Sequence, residues 1–294
     1  MFEVSRRQFL KTTLATAGGI ITMGPRQVFG SDPKEPAHWA FLSDTHISVD
    51  SGNKYMGFSP YQNLKEITGQ LSADLPDGLV VTGDLARLKG RAGDYVNLRK
   101  LLAPLGKQRP IHLATGNHDD RTNFLRTFAG TEAEDRQWRV GSKRVLTVNG
   151  GPVRFIILDS LLFVDLPWGK LGRKQCAWLN TYLRVTEELP TILFLHHPVM
   201  GGGDMLDSRQ FIETIRPIPC VKAVVHGHSH KFRIGQIDGI HVINLPATAY
   251  NHFGKGPVGW VQARLTDRHG DFTLHAVEGN TKLNGHTERL TWRA

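Results

Sequence analysis

Residues 224–230 read VVHGHSH, a run in which three histidines, each two positions from the next, follow a pair of β-branched apolar residues. A β-branched pair is typical of a buried strand, so the histidines come where such a strand would end. Taken by itself, the run is compatible with a surface loop, a piece of core or one half of a metal site. A metal site requires further ligands from other parts of the chain.

Strand-like apolar runs alternate along the chain with segments of helical periodicity. The strand-like runs are 38–43, 79–82, 111–115, 153–159, 191–196 and 221–226, and the helical segments are 61–71, 95–105 and 173–183. This alternation predicts an α/β sheet covered by helices. In the last quarter, runs 240–245, 260–266 and 271–277 follow one another with only turns between them, which predicts an antiparallel end to the sheet.

Five of the predicted strands are followed by Asp, Asn or His, with glycine close by. These ends read SDTH (43–46), GD (83–84), GNHD (116–119), HHP (196–198) and GHSH (227–230). A single end of this kind would be interpreted as a turn or a helix cap. Because the carboxyl ends of strands in open α/β sheets converge on one crevice, five such ends predict one shared site.

The chemistry of these side chains indicates a metal. Carboxylates and imidazoles buried together without a cation would lose their water and repel one another. The mixture of Asp, Asn and His without cysteine suits a divalent ion such as Mn, Fe, Zn or Co.

The five blocks resemble, in order, the signature of calcineurin-like metallophosphoesterases. They are Asp44-x-His46, Gly83-Asp84, Gly116-Asn117-His118-Asp119, His196 and Gly227-His228-x-His230, and they cover residues 39–230. The resemblance implies an α/β fold in which a central sandwich of two mixed sheets is flanked by helices, giving four αββα layers. Asp120-Arg121, Leu158-Asp159-Ser160 and segment 172–179 are similar to the phosphodiesterase branch that contains the class III cyclic-nucleotide phosphodiesterases.

The family pattern implies two divalent metal ions that share one carboxylate. The first ion would be held by Asp44, His46, Asp84 and His230, and the second by Asp84, Asn117, His196 and His228. His197 is a less certain ligand than His196, which continues the strand. His226 matches no ligand position, so we expect it to pack or to support the ligands.

The same pattern implies hydrolysis of a phosphate ester. In that pattern two ions would hold a hydroxide and bind the phosphoryl oxygens, and the hydroxide would attack phosphorus in line with the leaving oxygen. His118 would be the catalytic residue that orients the phosphate or protonates the leaving group. Asp44 or Asp119 would then fix its tautomer; the alternative is that His118 is a structural histidine.

Two departures from the family pattern concern the type of metal centre and the substrate. Purple acid phosphatases have Tyr three residues after the Asp of the GD block, and Arg87 stands there in this chain, which argues against an iron–tyrosinate centre. Val199 replaces the second Pro after His-His-Pro, which changes a loop beside the pocket. Five further residues could face the substrate, although residues of these types are more often surface or packing residues: Arg87, Arg91, Tyr55, Phe58 and Asn244.

The first thirty residues resemble an export signal. Residues 5–11 read SRRQFLK and match the bacterial twin-arginine signature at every position, followed by an apolar stretch over 14–23. That stretch is too short and too rich in glycine to span a bilayer, which takes about 20 residues. We therefore predict a signal peptide over 1–30, a metallophosphoesterase domain over 31–294 and a periplasmic or extracellular enzyme. Its partners would be the twin-arginine translocation machinery and a small phosphate-ester substrate, without stable membrane insertion.

Composition is consistent with an ordinary globular domain. The net charge of the whole chain is +9, and removing residues 1–30 takes away four basic residues and one acidic residue, which leaves 32 basic and 26 acidic residues, a net of +6. Without a long basic run, this charge predicts no nucleic-acid partner and is compatible with an anionic substrate. Cys176 and Cys220 are predicted to be buried thiols, although an exported protein could pair them.

The leading hypothesis is an exported dinuclear phosphoesterase that hydrolyses diesters in preference to monoesters. One alternative is a broad phosphomonoesterase that scavenges phosphate outside the cytoplasm. A second alternative is a metal-binding partner protein without catalysis, and the complete ligand set together with His118 speaks against it.

Overall fold

The computed structural model describes residues 35–129, 136–186, 189–201 and 204–294. The predicted signal peptide over residues 1–30 lies outside them. Within these ranges the chain forms two β-sheets packed face to face, with helices on the outer side of each.

The first sheet has six strands in the order β13-β12-β11-β1-β2-β3. Its parallel half consists of β1 (Ala37–Leu42), β2 (Gly78–Val81) and β3 (Ile111–Leu113). Its antiparallel half consists of β11 (Pro257–Leu265), β12 (His269–Gly279) and β13 (Thr287–Thr291). All four residues of β2 are buried, as expected for a strand covered on both faces.

The second sheet has seven strands in the order β4-β5-β6-β7-β8-β10-β9. They are β4 (Arg136–Val140), β5 (Lys143–Asn149), β6 (Arg154–Ile157), β7 (Thr191–Phe194), β8 (Val221–His226), β9 (Arg233–Ile237) and β10 (Ile240–Asn244). The prediction of one antiparallel end for the last quarter is right for β11 and β12 but wrong for β10. That strand pairs in parallel with β8 in the second sheet, because β9 turns the chain back before it.

Five helices of the described ranges complete the outer layers. The first sheet is covered by α1 (Pro60–Ala73), α2 (Ala92–Gly106) and α3 (Arg121–Phe128), and the second by α4 (Arg173–Val185) and α5 (Ser208–Ile215). The predicted helical segments fall within α1, α2 and α4. Two helices of eight residues, α3 and α5, were not predicted, because two turns carry little periodicity. The four-layer αββα architecture is confirmed.

An aromatic cluster fills the space between the two sheets. Phe41 from the first sheet meets Phe194 from the second edge-to-face at 4.9 Å between ring centroids, and Phe155 lies 5.2 Å from Phe194. All three side chains are fully buried. Because burying one such side chain stabilises a fold by about 1.5–3 kcal/mol, this cluster fixes the two sheets relative to each other. The loops that follow the parallel strands are thereby held in place.

Cys176 and Cys220 are buried on the outer face of the second sheet as free thiols, which confirms the predicted burial. In the described part of the chain, no helix has both the length and the apolar character needed to cross a membrane.

Candidate metal centre

All seven predicted ligands come together at the carboxyl ends of the parallel strands. Asp44 and His46 follow β1, Asp84 follows β2 and Asn117 follows β3, all in the first sheet. The second sheet contributes His196 after β7, and His228 and His230 after β8. The site therefore lies across the sandwich, with ligands from both sheets.

One group of donors consists of Asp44, His46 and His230, all buried. The Nε2 atoms of the two histidines lie 3.2 Å apart, and Asp44 Oδ1 lies 3.4 Å from His230 Nε2. His46 Nδ1 lies 3.3 Å from the carbonyl of Arg87, and His230 Nδ1 lies 2.8 Å from that of Tyr250. With each Nδ1–H donating to a carbonyl, the Nε2 lone pairs face the centre.

The second group consists of Asn117, His196 and His228. Asn117 Oδ1 lies 3.2 Å from His196 Nε2 and 2.9 Å from His228 Nδ1, and the two ring nitrogens lie 3.3 Å apart. His228 thus turns Nδ1 toward the centre, whereas the other three histidines use Nε2.

Asp84 lies between the two groups. Its Oδ2 is 3.3 Å from His196 Nε2 in the second group and 3.7 Å from His46 Nε2 in the first. Its other oxygen accepts a hydrogen bond from the His118 amide at 2.8 Å, which orients the carboxylate. This is the position that a shared, bridging ligand requires.

The backbone at the ligands is held in the left-handed region. Five of the seven have positive φ: Asp44 at 52°, His46 at 42°, Asp84 at 49°, His228 at 70° and His230 at 54°. Such conformations cost about 1–3 kcal/mol each for residues with a Cβ, and they cluster at functional sites. Gly227 shows why glycine stands before the histidine pair: a Cβ there would overlap the side chains of Ser43 and Asp44. The sharp turns direct side chains that are two positions apart, such as His228 and His230, toward the same site.

The electrostatics of the site favour a bound cation. Burial opposes the charge of Asp84, but His196 outweighs it and the carboxyl pKa lies well below its usual range. Burial likewise opposes the imidazolium of His196, yet Asp84 raises its pKa to about 9. Burial lowers the pKa of His46 to about 3 and that of His228 to about 4, so both imidazoles are neutral at pH 7. Buried carboxylate and amide oxygens together with imidazoles fit a pair of divalent metal ions, and a bound ion would displace the proton of His196.

Asp119 has a structural position rather than one beside the reacting groups. Its buried carboxylate accepts hydrogen bonds from the amides of Leu85, Ala86 and Gly116 at 2.8–3.1 Å and from the Tyr95 hydroxyl at 3.0 Å. Burial, and then the charge of Asp84, raise its pKa to about 6. Asp119 therefore ties the loop after β2 to the loop after β3.

His118 lies at the mouth of the centre, with its side chain 20% exposed. The idea that Asp44 or Asp119 fixes its tautomer is wrong, because Nδ1 faces the carbonyl of Leu88 at 2.7 Å and Asp165 Oδ1 at 3.5 Å. Asp165 belongs to the loop after β6, and its amide donates to the carbonyl of Asn117 at 2.7 Å. Sequence reasoning missed Asp165, since no block of the signature contains it.

The other two histidines of the motifs are buried behind the ligands. His197 Nδ1 lies 2.8 Å from the Ser160 hydroxyl, and its ring lies 4.9 Å from that of His228. His197, His196 and His228 also form a cluster whose ligand atoms lie within 4.8 Å of one another. His226 turns Nδ1 to the carbonyl of Gly227 at 3.2 Å.

The secondary features of the phosphodiesterase branch form one polar network beside the site. Arg121 binds the buried carboxylate of Asp159 through two nitrogens, each at 2.7 Å, and Gln175 accepts from the Asp159 amide at 3.0 Å. Three sequence segments that resemble this branch are thus joined at Asp159, through its carboxylate to Arg121 and through its main chain to Gln175, and these bonds hold the loop after β6 in place.

Of the residues left open as substrate contacts, Arg87 and Tyr55 form a wall of the mouth. The Arg87 guanidinium lies 4.8 Å from the centre of the Tyr55 ring, and Arg87 Nε donates to Asn53 at 3.0 Å. Tyr55 contacts Tyr250 at 4.7 Å between centroids, and Tyr250 in turn lies 4.9 Å from His46. A cation and two aromatic rings therefore line the side of the first donor group.

Fold and site together define a phosphoesterase with donors for two metal ions. The chain belongs to the calcineurin-like phosphoesterase family, whose model matches residues 38–232. Members of this family are dinuclear metal-dependent hydrolases of phosphoric esters, and this chain carries candidate residues for the metals.

Similar proteins include two bacterial phosphodiesterases. A probable cyclic nucleotide phosphodiesterase of Rhodococcus erythropolis is 29% identical over 78% of this chain and 77% of its own length. The glycerophosphodiester phosphodiesterase GpdQ of Enterobacter lignolyticus is 25% identical over 72% of this chain and 77% of its own length. Among solved structures, a dimetal phosphatase from Danio rerio shares the fold, with a TM-score of 0.65 at 13% identity over 89% of this chain and all of that one.

Proposed function

We propose that this chain is an exported, dinuclear metal-dependent phosphodiesterase. The observation that carries the proposal is the position of Asp84, whose Oδ2 lies 3.3 Å from His196 and 3.7 Å from His46. One carboxylate between two buried donor groups is the arrangement for two ions that share a ligand. The phosphodiesterases among the similar proteins support a diester in preference to a monoester.

The ligand assignment follows the two groups. Asp44, His46, Asp84 and His230 would hold one ion, and Asp84, Asn117, His196 and His228 would hold the other. When bound, two divalent ions neutralise charge on the phosphoryl oxygens and make water a nucleophile at neutral pH. Oxygen and imidazole donors bind Mn, Fe, Zn or Co. Metal analysis of the purified protein would identify the two ions.

His118 has the proposed role of a general acid. Its ring projects at the mouth, 5.3 Å between centroids from His46, and its Nδ1 is fixed by the Leu88 carbonyl. Nε2 is then the nitrogen left to meet the substrate, where it can hydrogen-bond the phosphate and protonate the leaving alkoxide. Asp165 Oδ1 lies 3.5 Å from Nδ1 and helps to orient the ring.

The enzymatic proposal is tested on the purified mature protein loaded in turn with each metal. We expect faster hydrolysis of bis-p-nitrophenyl phosphate than of p-nitrophenyl phosphate, and about two ions per chain. Asn117→Ala and His118→Ala should each lower turnover by about two to four orders of magnitude. His286→Ala, a change at an exposed histidine, is the matched control.

Three results would count against this proposal. A monoester preference would favour the phosphate-scavenging alternative. Native turnover in both Asn117→Ala and His118→Ala would remove the proposed site. Turnover that persists after all metal has been chelated would remove the dinuclear mechanism.

Export is the part of the proposal that rests on sequence alone. The SRRQFLK segment at residues 5–11 supports passage through the twin-arginine machinery, followed by cleavage near residue 31. Fractionation of bacteria that express the full chain should recover a shortened protein outside the cytoplasm. Changing Arg6 and Arg7 to lysine should retain the full-length protein inside, whereas export that persists would contradict this route.

A further inference from the structure

Six large apolar side chains at the mouth of the metal centre are exposed to solvent. We call them the apolar rim: Leu88, Phe163, Leu166, Trp168, Met200 and Leu206, each 41–61% exposed. Single exposed apolar side chains are normal on protein surfaces, but a group of them beside a functional site marks an interaction surface.

Three loops carry the apolar rim, and each is tied to the proposed catalytic groups. The Leu88 carbonyl faces His118 at 2.7 Å. Phe163 and Leu166 flank Asp165, whose amide donates to the carbonyl of Asn117. The rim therefore lies beside His118 and Asn117.

The second and third loops are joined through Gly169, which follows Trp168. Its amide donates to the carbonyl of Asp204 at 2.7 Å, and its carbonyl accepts from the amide of Leu206 at 2.9 Å. Gly169 also packs against the ring of His197, so closely that a Cβ there would overlap it. Since His197 adjoins His196, Trp168 is held close to the metal centre.

Basic side chains accompany the apolar rim. Lys170, Arg173 and Lys174 follow Trp168 within six residues and are all exposed. The acidic residues of these loops are Asp165, which lies 3.7 Å from Lys89, Asp207, which accepts from the amides of Leu171 and Gly172, and Asp204. With Lys89 the basic side chains outnumber the acidic ones four to three, so the surface around the rim is apolar with a small excess of positive charge.

We propose that the apolar rim docks the enzyme on the surface of an anionic phospholipid bilayer. Tryptophan and phenylalanine enter the boundary between headgroups and acyl chains, and neighbouring lysine and arginine attract anionic headgroups. A second copy of this chain or another protein fits less well, because the rim consists of side chains projecting from three loops and bordered by cations. Docked in this way, the metal centre would open toward the headgroups. This inference concerns a surface, and it does not depend on which ester the site hydrolyses.

The test uses the metal-loaded mature protein and flotation with vesicles. One set of vesicles is phosphatidylcholine alone, and the other contains about one third phosphatidylglycerol. We expect the native protein to float with the anionic vesicles and to be released as the salt concentration rises. The double variant Phe163→Ser with Trp168→Ser should bind about tenfold more weakly.

Leu189→Ser is the matched control, because Leu189 is 39% exposed and precedes β7 at the end opposite His196. It should bind vesicles as the native protein does. Lys170→Glu with Lys174→Glu should remove the preference for anionic vesicles. Thermal unfolding verifies that each variant is folded.

Several outcomes would overturn the inference. They are native protein that remains unbound to anionic vesicles, a folded double variant that binds as the native protein does, and a dimer in solution that the double variant abolishes. Hydrolysis of bis-p-nitrophenyl phosphate without vesicles is measured separately. A protein that hydrolyses this diester but ignores vesicles refutes docking and leaves the proposed function intact, whereas the reverse result refutes only the function.

Discussion

Replacing Asp84 by asparagine should remove both metal ions, although it changes a single side chain. The carboxylate has an oxygen 3.3 Å from His196 and 3.7 Å from His46, so it belongs to both donor groups. Asn117 contacts only the second group, at 3.2 Å from His196 and 2.9 Å from His228. Asp84→Asn should therefore lose two ions, and Asn117→Ala should lose one.

The size of the effect follows from linkage between binding and folding. An ion at a free concentration one hundred times its Kd stabilises the fold by about 2.7 kcal/mol. Two such ions contribute about 5 kcal/mol, which corresponds to roughly 10–20 °C in Tm for a domain of about this size. We expect this metal-induced rise in Tm to vanish in Asp84→Asn and to fall to about half in Asn117→Ala.

The assay pairs elemental analysis with thermal unfolding, with and without chelator. Asp271→Asn serves as the control, because it neutralises a carboxylate that pairs with Arg289 on the surface. The difference between loaded and chelated protein cancels any effect of the substitution on the metal-free fold. An Asp84→Asn protein that keeps two ions, or that loses only one as Asn117→Ala does, would refute the bridging position.

Three further predictions concern groups around the centre. Asp165→Asn should lower kcat by roughly tenfold, less than His118→Ala, while the metal content stays at the native level; an unchanged kcat would contradict the positioning role. Tyr95→Phe removes the hydroxyl that donates to the buried Asp119 carboxylate and should lower the free energy of unfolding in urea by about 1–3 kcal/mol. Unchanged stability would show that this hydrogen bond is not needed to hold the two loops together. Metal-free protein should be most stable near neutral pH. Below about pH 6.5 the unfolded chain gains a proton that buried His46 (pKa about 3) excludes in the folded chain, so stability falls as the pH falls. Between about pH 6.5 and 9 the unfolded chain loses a proton that His196 (pKa about 9) retains in the folded chain, so stability falls as the pH rises. Each group changes the free energy of unfolding by at most about 1.4 kcal/mol per pH unit. The measurement is urea unfolding at a series of pH values, and a free energy of unfolding that does not vary with pH would refute the prediction.

Much of the candidate site could be predicted because its ligands follow a local rule. Each ligand block comes directly after an apolar run that forms a buried parallel strand, as Asp84 does after β2. The carboxyl ends of such strands meet whatever the order of the strands in the sheet. The seven predicted ligands therefore lie close together in the structure, although 186 positions separate Asp44 from His230 in the sequence.

Residues outside the blocks could not be predicted in the same way. Asp165 lies in a loop whose sequence shows neither a strand end nor a motif, and it reaches His118 only because that loop folds back over Asn117. The pairing of Tyr55 with Arg87 likewise joins two loops whose contact follows from no local pattern.

The alternation of strands and helices, the polar residues at the strand ends and the chemistry of the donor side chains could all be predicted from the amino-acid sequence, because they depend on neighbours within a few residues. Three features follow from the folded arrangement alone: β10 joins the second sheet, Asp165 rather than Asp119 faces His118, and Asp84 lies between the two donor groups. Those outcomes depend on how two sheets pack and how loops cross their rim. Such contacts join residues far apart in the chain, and no local preference encodes them.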